Sequence, residues 1–504
     1  MTANSGTCFL VGAGPGDPGL LTLRGRDVLS RAEVVVYDHL VNRELLGFAP
    51  ESAELVYAGK KSGDHTMPQE EINRLLVEKT SEGKNVVRLK GGDPFVFARG
   101  AEECLALAGA GLRFQIIPGV SSAIAGPAYA GVPVTQRSVN SALTFFSGHQ
   151  DPADASAAKF YAAIGAAEGT KVLLMGVEHL RGIAERMVSG GASRDTPAAA
   201  IRWATRGDQQ TVSGTLGDIA DRVREAGMQP PAVVVFGDVV KLADKLAWTA
   251  ARPLFGRRLV VTRSRSQSGK LSNALRDLGA DVYELPLIRR EPPPDLREFA
   301  ELVQDAHGYE WIVFTSANGV DAFFEIFYKL YDDAREIGGA KFAAVGAATA
   351  QRLKDHHFHV DLVAENFHAE SLVETFRGQA DVENVKMLVV RPVETSGPLA
   401  AGLAKMGAIV DEGIAYRTVP EPDDRTRARE RLQAEGADLV VFTSSSTVRN
   451  FFALKLPLPS NPKFASIGPV TTKTLEECGA RPAVEASRHD IPGLVEAITD
   501  YFAR

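Results

Sequence analysis

VVRLKGGDPFVFARG, residues 86–100, decides how the first half of the chain is read. A β-branched, apolar run ends abruptly in two glycines and an aspartate. That pattern is a strand closed by a loop whose backbone can come close to a ligand. Upstream, CFLVGAG (8–14) runs into a second loop of the same kind, GAGPGD (12–17), which follows a strand and precedes a helix. Taken alone, GAGPGD with Asp38 ending the next strand, VVVYD, imitates a dinucleotide fingerprint and its ribose-binding acid. Pro15 and the pair Gly16-Asp17 break that fingerprint, and a dinucleotide fold leaves the loop at 91–100 unexplained. A nucleotide-dependent oxidoreductase stays open as the alternative.

Outward from these loops, residues 8–130 alternate short β-rich runs with helical patterns, the rhythm of an α/β domain with largely parallel strands. A second α/β unit follows, with KVLLMG (171–176) and AVVVFGDVV (232–240) as buried strands. Apolar periodicity lapses near KLAWTAARPLFGRR (245–258), which reads as a linker. At 504 residues the chain is too long for one core, and three or four packed units are expected. Hydrophobic residues at 45% and charged ones at 24% are ordinary for a globular protein and argue against disorder. A net charge of -7 gives no basic field to gather phosphates, so nucleic acid is not an expected partner. The N-terminus shows no basic segment and no sustained apolar run, so neither a membrane span nor a secretion signal is expected, and the cytoplasm is the expected location. Three scattered cysteines argue against a disulfide framework and against a thiolate metal site.

The region after residue 257 repeats itself. WIVFTSANGVDAFFEI (311–326) matches LVVFTSSSTVRNFFAL (439–454), and KFAAVGAATAQRL (341–353) matches KFASIGPVTTKTL (463–475). More loosely, 259–282 matches 388–410. Each copy carries a proline-containing polar stretch at the same place, LPLIRREPPPD (285–295) and IAYRTVPEPDD (414–424). Two similar α/β lobes with two crossings between them are expected, and a cleft between lobes is a usual place for a ligand.

Across 6–248 the chain resembles uroporphyrinogen-III C-methyltransferases of the tetrapyrrole methylase family. The matching pieces include VGAGPGDPGLLTLRG (11–25), VVVYDHLV (34–41), AGKKSGDHTMPQEEIN (58–73), VVRLKGGDPFVFARGAEE (86–103) and PGVSSAIAGPAYAGVPVTQR (118–137). The resemblance implies a two-unit α/β fold with S-adenosylmethionine in its cleft, against Pro15, Gly91, Gly92, Asp93, Val96, Ser121, Ser122, Met175 and Ala204. Ala98 and Ala204 stand where that family usually carries glycine. It further implies Asp38 as proton acceptor, Lys60 as proton donor, Arg137 as a fork for a substrate carboxylate, and a homodimer through this half. As residues alone, Asp38 and Lys60 also read as a strand-end turn aspartate and a solvated loop lysine.

Across 254–504 the chain resembles uroporphyrinogen-III synthase, on FTSANGV (314–320), VGAATA (345–350), the YRT of 416–418, FTSSSTV (442–448) and IGPVTT (467–472). The resemblance implies lobe A at about 254–286 plus 420–504 and lobe B at about 287–419. The implied reaction closes hydroxymethylbilane to uroporphyrinogen III with loss of water, and Tyr416 is implied to help the departing hydroxyl. Thr262, Arg263, Thr315, Ser316, Asn318, Thr443, Ser444, Ser445, Thr471 and Thr472 are candidates for the substrate carboxylates. The Ser and Thr residues read equally well as helix N-caps, and Tyr416 as a core or linker tyrosine. The two halves together imply a bifunctional enzyme whose doubly methylated product is precorrin-2, an intermediate that serves siroheme, cobalamin and other modified haems alike. A non-catalytic tetrapyrrole carrier is a further alternative. His356, His357 and His359 fall at the end of an expected helix without acidic or thiol partners at ligand spacing, so they read as a helix end and no metal is expected.

Overall fold

In the computed structural model the described residues are 6–59, 67–263, 265–364, 369–394 and 398–503. The chain divides into one unit made of Met1–Pro286 and Asp423–Arg504 and another made of Leu287–Pro422.

The first unit opens with five strands, β1 (Thr7–Gly12), β2 (Val34–Tyr37), β3 (Glu54–Tyr57), β4 (Asn85–Lys90) and β5 (Arg113–Ile117). They lie in the order β3-β2-β4-β1-β5 and every pairing is parallel. Both faces are covered, which is why β2 reads VVVY and is buried throughout. A second sheet follows, from β6 (Leu143–Ser147), β7 (Thr170–Leu174), β8 (Pro197–Arg202), β9 (Gln210–Thr215) and β10 (Ala232–Phe236), in the order β6-β7-β10-β8-β9. Only β6 and β7 run parallel; the other pairings are antiparallel. The helix Ser122–Tyr129 joins the two layers, because Ala123 packs in one core with Val172, Leu174, Ala199 and Ala204 of the second sheet and its loops.

β11 (Arg258–Val261) and β12 (Asp281–Glu284) come next. The chain then builds the second unit from β13 (Ile288–Glu291), β14 (Trp311–Phe314), β15 (Lys341–Ala344), β16 (Leu362–Val363), β17 (Lys386–Pro392) and β18 (Ile409–Pro420). It returns to the first unit for β19 (Leu439–Phe442), β20 (Lys463–Ser466) and β21 (Val484–Glu485). The two sheets are ordered β12-β11-β19-β20-β21 and β13-β18-β17-β14-β15-β16, so five positions correspond strand for strand. The repeat seen in the sequence is thus a repeat of structure. WIVF and LVVF are buried β14 and β19, and each is followed by a helix, Ala317–Leu330 or Ser445–Ala453, capped by the equivalent serine, Ser316 or Ser444. Among the described residues no helix is long and apolar enough to cross a membrane.

Candidate functional site

Three neighbouring strands of the first sheet, β4, β1 and β5, end in glycine loops that touch. Gly92 N donates to Gly14 O at 2.8 Å and Gly14 N to Gly92 O at 3.2 Å, zipping the loop after β1 to the loop after β4. The loop after β5 completes the group: a Cβ on Gly119 would fall 2.2 Å from Gly92 O and 2.6 Å from Gly12 Cα. Gly92 itself lies at φ +68°, a conformation side chains resist. The site therefore stands at the carboxyl ends of parallel strands, where open α/β sheets bind ligands.

Asp93 locks this arrangement. Its Oδ1 accepts from Phe95 N at 2.8 Å and braces its own loop, and its Oδ2 accepts from Gly119 N at 3.0 Å and ties that loop to the one after β5. Gly92 lies against Ser121 and Ser122 at the start of the helix Ser122–Tyr129, and Ser121 accepts from Ala123 N. A second tie brings in the second sheet: Asp17 N donates to Thr205 Oγ1 at 3.0 Å and Tyr129 Oη to Asp17 Oδ2 at 3.2 Å. Ala204, between Trp203 and Thr205, is buried against Gly126. Met175, just beyond β7, has φ +55° and a side chain 54% exposed, an unusual setting for a large apolar residue. Gly92, Asp93, Ser121 and Ser122 are thus drawn together, with Gly91 beside Leu40, while Pro15 lies in the loop after β1 and Ala204 against Gly126. Val96 is half-buried in the loop after Asp93, and Arg137 is exposed in the turn closed by Gln136 and Asn140.

Asp38 leaves the end of β2 beside β4. Arg88 Nη2 donates to its Oδ1 at 2.5 Å, and Lys90 Nζ is 3.9 Å from its Oδ2. Both cations also donate to Oε1 of the buried Glu103, each at 2.9 Å. Sequence reasoning missed Arg88, Lys90 and Glu103. The available signal was an arginine and a lysine two apart in an otherwise apolar parallel strand, which places both on one buried face. Lys60 lies outside the described residues.

In the second unit, Ser316 Oγ accepts from Gly319 N at 3.1 Å and is 3.0 Å from the hydroxyl of Tyr416 on β18. Tyr416 is largely buried and packs with Phe314 and Phe323. Thr315 donates to Val390 O at 3.1 Å. Asn318 is half-buried in the first turn of the same helix. In the first unit Ser444 caps its helix, Ser445 Oγ donates to Val470 O at 3.3 Å, Thr472 Oγ1 is 2.6 Å from Ser466 Oγ, and Thr443 and Arg263 are half-buried. Thr471 is buried. For Thr262 the expectation of a ligand-facing hydroxyl is corrected. It is fully buried and its Oγ1 donates to Val441 O at 2.8 Å, so the side chain ties neighbouring strands. His356 caps the helix Ala347–Asp355 and stacks on Phe324, with ring centroids 4.4 Å apart.

Elsewhere in the first unit, one oxygen each of Asp208, Asp281 and Glu435 lie within 4.8 Å of one another. Arg206, Arg258 and Arg431 interleave with them, so the acids are neutralised by guanidinium groups.

Residues 7–220 match the family model of Tetrapyrrole (Corrin/Porphyrin) Methylases, and residues 269–496 match that of Uroporphyrinogen-III synthase HemD. The porphyrin biosynthesis protein HemD of Ruminiclostridium josui is 34% identical over 496 residues, 98% of each chain. A uroporphyrinogen-III C-methyltransferase of Bacillus subtilis is 38% identical over 363 residues, 72% of this chain and 74% of that protein. An S-adenosyl-L-methionine-dependent uroporphyrinogen III methyltransferase of Methanosarcina barkeri is 48% identical over 246 residues, 49% of this chain and 96% of that protein. The chain belongs to the porphyrin-biosynthesis family in which a tetrapyrrole methylase is joined to a uroporphyrinogen-III synthase.

Proposed function

We propose that the chain carries out two consecutive steps of tetrapyrrole biosynthesis in the cytoplasm. Residues 254–504 close hydroxymethylbilane to uroporphyrinogen III with loss of water. Residues 6–248 then methylate that product at C2 and C7 to give precorrin-2. The observation that carries this reading is the presence of both family matches, 7–220 and 269–496, in one chain.

The glycine cradle fits S-adenosylmethionine. Gly91 and Gly92 leave the floor without side chains, and a Cβ on Gly92 would meet nothing closer than 3.8 Å, at Ser121 and Ser122. Met175 extends an apolar side chain toward solvent. Pro15, Gly91, Gly92, Asp93, Val96, Ser121, Ser122, Met175 and Ala204 would hold the ligand, which when bound supplies an electrophilic methyl on a sulfonium. The chain's own task is alignment. Arg137 takes a substrate carboxylate by its fork. Asp38, held on Oδ1 by Arg88 and 29% exposed, accepts the proton that the methylated ring releases, and Lys60 donates one.

In the synthase half, Tyr416 donates a hydrogen bond to the departing hydroxyl, with Ser316 as its partner at 3.0 Å. Arg263, Thr315, Ser316, Asn318, Thr443, Ser444, Ser445, Thr471 and Thr472 provide donors for the carboxylates. Lobe A runs over 254–286 plus 420–504 and lobe B over 287–419. The methylase half pairs with a second copy of the chain, a reading supported by the exposed apolar side chains Phe95, Phe97, Leu105 and Ile124; light scattering that gives a monomer refutes the pairing.

The decisive experiment gives the purified chain hydroxymethylbilane with and without S-adenosylmethionine. Uroporphyrin isomer III without the methyl donor, and a dimethylated product with it, is the expected result. Isomer I alone, with no methylation of supplied uroporphyrinogen III, overturns the reading.

A further inference from the structure

Asp38 belongs to a quartet of charges of which it is the only member that reaches solvent. Arg88 and Lys90, two apart on β4, turn to the same side and meet Glu103 on the helix Gly100–Gly109. Each donates to Glu103 Oε1 at 2.9 Å, and Gln69 of the helix Gln69–Ser81 adds a third donor at 3.3 Å. Glu103 is fully buried and Arg88 and Lys90 nearly so, whereas the Asp38 side chain keeps 29% of its surface. Two acids and two cations cancel, yet apolar residues of similar size would hold this interior at least as well, so stability is a poor reason for the quartet. Its geometry offers another. Glu103 engages the cations from inside, and the same cations face Asp38 from below, at 2.5 Å and 3.9 Å.

We propose that Glu103 and Lys90 are positioning residues for methyl transfer: Glu103 anchors Arg88 and Lys90 so that both cations hold the Asp38 carboxylate in place and aimed. The proposal rests on the reading of Asp38 as the proton acceptor, and neither Lys90 nor Glu103 touches substrate. Burial and the neighbouring Arg88 push the Lys90 ammonium below its ordinary value, while Glu103 opposes them, so the anchor also keeps the cation charged. Among the described residues, Arg88 and Lys90 are the cations paired with Asp38. On its own loop, His39 turns Nδ1 to the Tyr57 hydroxyl at 3.1 Å. Asp93, in the loop after β4, has both oxygens bonded to backbone N–H groups, and Gln69 is neutral.

The test is the split of kcat from KM for methylation of uroporphyrinogen III by the full-length chain. In Lys90→Met the cation facing Asp38 Oδ2 is lost, and in Glu103→Gln the anchor of both cations is weakened; in each, kcat falls about ten-fold while KM for uroporphyrinogen III stays within about two-fold of the parent. Lys90→Arg, which keeps the cation, restores most of kcat. Circular dichroism and formation of isomer III by the other half stay as in the parent. A merely structural role lowers both activities together and is not rescued by arginine, and an unchanged kcat in Lys90→Met or Glu103→Gln overturns the proposal. Should Lys90→Met not fold, the isosteric Glu103→Gln decides alone, since an unchanged kcat refutes it. Asp38→Asn separates the levels. Methylation that survives this change sinks the acceptor reading and the proposal with it, whereas a loss of about a hundred-fold beside a parent-like kcat in Lys90→Met and Glu103→Gln sinks the proposal alone.

Discussion

The contact of three glycine loops makes Gly119→Ala the sharpest probe of the methylase site. The added Cβ would sit 2.2 Å from Gly92 O and 2.6 Å from Gly12 Cα, both backbone atoms that cannot rotate away. A relaxed carbon-to-oxygen contact needs about 3.3 Å, so the loops after β1, β4 and β5 must part by about 1 Å. Overpacking of this kind costs about 1–3 kcal/mol. The hydrogen bonds Gly92 N to Gly14 O and Gly119 N to Asp93 Oδ2 stretch with it, each contributing about 1 kcal/mol. A total of about 3–5 kcal/mol is expected in thermal or urea unfolding of the first unit if both bonds are lost. Displacement of the cradle by about 1 Å should weaken S-adenosylhomocysteine by about a hundred-fold in titration calorimetry. Gly109→Ala is the matched control, because a Cβ at that helix end meets nothing within 4 Å, and it should leave stability unchanged or raise it by about 0.5 kcal/mol. Parent-like binding and stability in Gly119→Ala, or equal damage in Gly109→Ala, would falsify the reasoning.

Tyr416→Phe should slow isomer III formation ten- to a hundred-fold and raise the share of isomer I, measured by chromatography of the oxidised porphyrins, with methylation of supplied uroporphyrinogen III unaffected; an unchanged rate removes Tyr416 from the chemistry. Ser316→Ala should cost about 0.5–2 kcal/mol through loss of the helix cap at Gly319 N, read from the urea midpoint. Burial pushes the Glu44 carboxyl up to about 7 despite its ion pair with Arg276. The native state therefore holds this proton over a range where the unfolded chain has released it, and stability falls as pH rises from about 4.5 to about 7, by about 3 kcal/mol. Glu44→Gln should flatten that part of the profile, and a melting temperature that still falls as steeply between pH 5 and 7 tells against it.

What could be read from the sequence follows from which forces leave a local mark. The repeat was visible because buried parallel strands need uninterrupted apolar runs and their helices need a capping hydroxyl, so WIVFTS and LVVFTS carry the same six-residue imprint of strand and cap. The glycine loops were visible because close backbone approach excludes every other residue. Charge burial leaves a fainter imprint: Arg88 and Lys90 stand two apart in an apolar strand, but what packs over β4 decides that they are buried, and Glu103 lies on a helix whose neighbours Glu102 and Arg99 pair in solvent. Thr262 misled for the converse reason, since a strand-end threonine that ties Val441 and one that faces a ligand have the same sequence surroundings.

The two halves end their strands in different chemistry. In the methylase the strands end in backbone, with Gly12, Gly92 and Gly119 in contact, and side-chain charge is kept behind the sheet, where it acts on Asp38. In each synthase lobe the equivalent strand ends in hydroxyls instead, Thr315-Ser316 after β14 and Thr443-Ser444 after β19, and both serines are already engaged as caps. A capping serine presents its helix N-terminus as well as its oxygen, so on the proposed reading a carboxylate there would meet N–H groups that a Ser→Ala change leaves in place. Substitution of Ser444 by alanine should therefore lower stability by about 1 kcal/mol yet weaken substrate affinity only a few-fold. A hundred-fold loss of affinity would show that the hydroxyl itself, and not the helix end, grips the carboxylate.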